Sequence, residues 1–71
     1  MINLSDDEMI CFARVLSVFM GVLSPVDVSN HEKELAIEAM KKMADYRYDW
    51  SQEQKEIYKT LADFVKGLSK Q

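Results

Sequence analysis

Residues 5–23 read SDDEMICFARVLSVFMGVL. The first four are a helix-start signal. The Ser5 hydroxyl is placed to accept the amide hydrogen of Glu8, and the Glu8 carboxylate is placed to reach back to the Ser5 amide. Leu4 and Met9 stand where a hydrophobic staple would close over this capping box. Behind it, apolar residues recur at helical spacing, and Arg14 is the single charge between Met9 and Leu23. The same signal occurs twice more, as Ser29-Asn30-His31-Glu32 and, with glutamine in the last place, as Ser51-Gln52-Glu53-Gln54. One such match is common. Three, each directly before a periodic segment, predict three helices, over about residues 6–23, 30–47 and 52–68.

The connections agree with this division. Pro25 cannot continue a helix, and it pushes Ser24 out of the helical region. The second connection, around Tyr48, Asp49 and Trp50, is very short, which favours antiparallel neighbours. No alternating strand pattern is present. The expected fold is all-α, a small three-helix bundle occupying residues 1–71 as a single domain.

The chain has 71 residues, one cysteine, one histidine and a net charge of −3. A core this small supplies little stability, so such domains often rely on disulfides, metals or a second chain. Cys11 has no partner for an internal disulfide, and Cys11 with His31 falls short of a structural zinc ligand set. No metal and no cofactor are expected. A lone thiol fits a reducing compartment. The apolar run follows Asp6, Asp7 and Glu8 instead of positive charge, and it is shorter than the roughly 20 apolar residues of a membrane span. The expected location is the cytoplasm. Coding economy alone would suit a phage or other mobile element.

Helical wheels set the functional expectation. The third segment is apolar over an arc of roughly 160°, as for a helix that packs one face on a core. The first two are apolar over roughly 200°, more than one small core should cover. In the first segment Glu8 interrupts the arc. Exposed apolar surface on that scale marks an interface. The expected function is therefore a non-enzymatic protein–protein interaction module, a dimeric regulator, inhibitor, adaptor or accessory subunit acting by steric binding. Its partner is another protein, with a homodimer foremost. The expected interface is Val15, Leu16, Val18, Phe19 and Val22, with Met40 and Met43 from the second helix. The competing reading is a compact monomer with unusually buried helices.

Other features are weighed against that surface. Tyr46, Arg47, Tyr48 and Trp50 are residue types enriched at binding hot spots, and they form a secondary candidate. Their bland use is to close the end of the bundle. Lys55, Lys59, Lys66 and Lys70 share a stripe on the third helix that could follow phosphates, so nucleic-acid binding is the alternative function. The acidic net charge, the flanking Glu56 and Asp63, and the absence of arginine or asparagine on that helix weigh against it. The acidic start of the first helix weighs against anionic membranes. Ala13, Ser17 and Gly21, four apart, form a small-residue stripe that would permit a close helix crossing. Catalysis would need a nucleophile beside a base, and the only histidine starts the second helix while Cys11 lies in an apolar arc.

Overall fold

The computed structural model describes residues 3–69, so the Lys70 candidate lies outside the described residues. The described residues form three α-helices: α1 (Asp6–Phe19), α2 (Asn30–Ala44) and α3 (Gln52–Ser69). Short 3₁₀ turns at Pro25–Asp27 and Arg47–Asp49 join them, and no strand occurs among the described residues. The protein is an all-α three-helix bundle.

All three capping boxes form. Glu8 N donates to Ser5 Oγ at 3.1 Å while Ser5 N donates to Glu8 Oε1 at 3.0 Å. Ser29 and Glu32 repeat the geometry at the start of α2. Gln54 serves in place of glutamate at the start of α3, with Ser51 N donating to its Oε1 at 2.8 Å. Each box satisfies two backbone donors that a helix start leaves unpaired.

The helix ends depart from the sequence expectation. The first helix stops at Phe19, four residues short of Leu23, because Gly21 takes φ +79°. Gly21 N then donates to Val18 O at 3.0 Å and Val22 N to Ser17 O at 2.9 Å. This is the Schellman pair of bonds, closed by a left-handed glycine. The helix therefore ends at the glycine before the proline is reached, and Gly21 leaves the supposed small-residue stripe. Ser17 bonds back to the Ala13 carbonyl at 2.9 Å instead of facing a neighbouring helix. The second helix stops at Ala44, three residues short of Arg47. There the backbone tightens into i→i−3 bonds, and the Arg47 Nη1 donates to the Ala44 carbonyl at 3.0 Å.

Gly21 has open space where a Cβ would stand, so Gly21→Ala tests the backbone conformation alone. It should destabilise by about 1 kcal/mol, because L-residues disfavour the left-handed region. Gly67 also faces open space but lies inside α3. Gly67→Ala should stabilise by up to about 1 kcal/mol, through helix propensity. Thermal unfolding of the two variants should therefore shift in opposite directions.

The core is built where the helix faces converge. Val15 and Val65 are fully buried, and Val18, Val28, Ala36, Met40, Leu61 and Leu68 complete the cluster around them. Ala36 and Ala39 are wholly inaccessible, and such short side chains let a neighbouring helix approach α2 closely. α3 joins this core through its second half. Its first six residues, Gln52 to Ile57, are exposed, and Leu61, Val65 and Leu68 are buried.

Charged groups tie the helices together at the core's edge. The Glu8 break in the apolar arc faces inward, because Lys42 reaches it from α2 at 2.8 Å. Lys33 lies buried, with Nζ 3.4 Å from the carbonyl of Leu68, near the negative end of α3. Arg14 forms an ion pair with Glu32 and donates from Nη2 to the Asp27 carbonyl at 2.7 Å. Its Nε–H is not aligned for a directed hydrogen bond to that carboxylate. Arg14 thus joins α1 to the entry of α2.

The Lys42 hydrogen bond, followed by the Ser5 amide, holds the Glu8 carboxyl at about 2, below its ordinary 4.5. A depressed folded value means that the unfolded chain binds the proton first as acid is added. The stabilisation is whole above about pH 4.5 and is lost as pH falls towards 2. Glu8→Gln keeps a competent capping side chain, as Gln54 demonstrates, but removes the charge pair. That variant should be less stable at neutral pH and should lose less stability between pH 4.5 and 2 than the parent, as read by denaturant melts.

Candidate functional site

A groove of about 470 Å³ lies between α2 and α3. Its floor is Ile37, Met40 and Ala44 from α2, with Tyr58, Ala62 and Val65 from α3. The two helices run antiparallel here. Tyr58 donates its hydroxyl to the Met40 carbonyl at 2.6 Å, and at the far end Lys33 reaches Leu68. Burial raises the Tyr58 hydroxyl above its ordinary pKa, which keeps it a donor. Trp50 leans on the Tyr58 ring with centroids 5.0 Å apart and so braces it from the side of the connection. The groove exists because Ala44 and Ala62 are short. Larger residues at either place would fill the gap between the helix edges.

Charge separates along its two banks. On α2 and its C-cap, Glu34, Glu38, Lys41 and Asp45 lie on one stripe beside the floor. Lys41 is engaged by Glu38 at 3.5 Å, so the free charge of this bank is acidic. On α3, Lys55, Lys59 and Lys66 form the opposite bank, and all three are exposed. Lys66, Lys41 and Asp45 reach the groove itself.

The interface expected from the sequence is largely used inside the chain. Val15 and Val18 are core residues, at 0% and 7% exposure, and so are not an outward face; Met40, at 4%, also belongs to the core and reaches the surface only at the bottom of the groove. Leu16 and Met43 are half-buried against the same core. The wide apolar arcs of α1 and α2 are consumed because α1 has α2 on one side and α3 on another. Phe19 keeps 43% of its surface and stacks edge-on against Phe64, with centroids 5.1 Å apart. Val22 is 78% exposed but belongs to the turn after α1, not to a helix face. It continues an exposed apolar string with Met20 and Val26.

The aromatic segment divides in a similar way. Arg47 closes the end of α2 and lies over the Tyr48 ring, 5.3 Å from its centroid, with Tyr48 itself exposed. Tyr46 is partly exposed, and Trp50 packs on Tyr58. Tyr58, Ala62 and Val65 belong to the ordinary core-packing arc of the third segment, whereas Ile37 and Ala44 belong to the wide apolar arc of the second. The signal that could have marked the groove is an alanine on the apolar arc of each helix, Ala44 and Ala62, at different levels of the same gap.

Cys11 is buried, and its thiol is raised by desolvation first and by Glu32 and Asp7 after that. His31 is exposed on the first turn of α2. Among the described residues no group of three or more His, Cys, Asp or Glu side chains is placed to hold a metal ion. No helix among them is long and apolar enough to cross a membrane. The chain matches no known family model, no curated protein and no solved structure.

Proposed function

We propose that this chain is a protein–protein interaction module that binds through the apolar groove between α2 and α3. One observation carries the reading: six apolar or aromatic side chains line an open groove of about 470 Å³ whose two banks bear opposite charge. Apolar burial in such a groove supplies affinity, and charged banks supply register and exclude wrong partners. The binding is steric and needs no chemistry from the chain. The lysines of α3 serve this surface as one bank; beside them Glu56 and Asp63 are exposed on the same helix, which opposes a phosphate track.

A photo-crosslinking residue at position 62, compared with one at exposed position 30, tests the reading in the native cell extract. Adducts to a protein, whether a second copy or another chain, should form from position 62 well above those from position 30. Equal yields at both positions would sink the proposal.

A further inference from the structure

The charge pattern of the groove identifies an occupant. Resting on the interaction reading above, we infer that a second copy of this chain covers the groove, related by a twofold axis that runs parallel to α2 and α3. A groove with one acidic bank and one basic bank accepts its own copy only in certain orientations. A twofold parallel to the helices sets α2 of each copy against α3 of the other. It brings the Glu34, Glu38 and Asp45 bank onto the Lys55, Lys59 and Lys66 bank twice over, once on each side of the axis. A twofold running across the helices instead sets α2 on α2 and α3 on α3, acid against acid and lysine against lysine, which is repulsive. The favoured arrangement also makes every neighbouring pair of helices antiparallel, as in an up-and-down four-helix bundle.

The level of each residue can be read from the hairpin. Tyr58 lies level with Met40, and Leu68 with Lys33. At 1.5 Å of rise per residue, the two contacts together place Lys55 within about one helical turn of Asp45, and Lys66 within about one turn of Glu34. An axis parallel to the helices leaves levels unchanged, so these become the facing pairs between copies. At the middle level Lys59 meets the stripe of Lys41 and Glu38, whose own charges are already paired. That level contributes little or is mildly repulsive. Ala62 near the centre, and Ala44 nearer the Asp45 end, allow the two floors to approach closely. The second copy would also supply the added apolar burial that a 71-residue core lacks.

The test is molar mass by light scattering behind size exclusion, on the purified full chain, from about 5 μM to about 500 μM, with dissociation constants taken from the concentration dependence. The expected species is a dimer of the 8.2 kDa chain. Ala62→Glu puts a charge in the centre of the joined floors at a half-buried position of α3, and should weaken the dimer by roughly 100-fold or more while helical circular dichroism persists. Lys55→Glu reverses a facing pair on both sides of the axis and should weaken it by about tenfold. Adding Asp45→Lys to that variant should restore the parent affinity, which a merely structural role for either residue would not do. Lys59→Glu, now facing Lys41, should leave the dimer as tight or tighter.

A monomer at every concentration overturns the inference. So does a dimer indifferent to Ala62→Glu, or one in which Asp45→Lys fails to rescue Lys55→Glu. A monomer that still crosslinks from position 62 to a different protein would retain the interaction reading and remove only the second copy. No adduct and no dimer would remove both.

Discussion

A Val15→Asp variant is expected to lose its cooperative thermal transition and most of its helical circular dichroism at room temperature. Val15 has no accessible surface and sits in the same core cluster as Val65. A carboxylate there must either stay ionised without a partner or take up a proton, and both routes cost about 4 kcal/mol or more. A domain of this length has roughly 4–10 kcal/mol of stability in all, so one such change removes a large share of it. The matched control is Val22→Asp, at a residue 78% exposed after the Schellman turn. It should stay within about 0.5 kcal/mol of the parent, as surface substitutions usually do. The two valines occur in the same apolar run, seven residues apart, so only their tertiary placement separates the outcomes. A Val15→Asp variant that remains folded would mean that α1 presents a different face to the core.

The second large effect is expected in α3. Leu61 is 7% exposed within the core, and Leu61→Ala should cost about 3 kcal/mol through lost burial and a residual cavity. For a domain of this size that corresponds to a fall of roughly 15 °C in the melting midpoint. One turn earlier, Ile57 is 60% exposed, and Ile57→Ala should cost less than about 1 kcal/mol. Both residues lie on the apolar arc of the wheel. The difference arises because α3 meets the rest of the molecule through its second half, while its first turns project past the core. Comparable losses at both sites would mean that the helix packs along its whole length. Both comparisons are made at matched protein concentration, because a dimer makes stability concentration-dependent.

Local chemistry was legible in the chain wherever a few neighbouring residues decide the outcome. Each capping box forms at the predicted serine, since the hydrogen-bonding partners lie three residues apart and need nothing else. Helix type followed from periodicity for the same reason. The C-terminal ends were less legible. Gly21 ends α1 through a positive φ that an interior glycine of a helix would not adopt, and residue type alone does not say which role a glycine takes. At the end of α2 no glycine or proline marks the stop at all. Tightened backbone bonds and the Arg47 side chain close it.

The amount of apolar surface was also written in the sequence, but its destination was not. A wheel shows how wide an apolar arc is and says nothing of how many neighbours share it. Packing α1 and α2 against each other and against α3 buries Val15, Val18 and Met40, which the width of the arcs had assigned to an outward face. Packing likewise turns Glu8 inward, because Lys42 on another helix arrives to meet it. The groove has the same origin. Ala44 and Ala62 are 18 residues apart in the chain and come to line one gap only when α2 and α3 lie side by side. Sequence by itself determined three capped helices and the all-α class, because capping and periodicity are short-range. Tertiary structure decided which apolar residues are core, which charges are paired and where the open surface lies, because each of those depends on what a distant part of the chain places alongside.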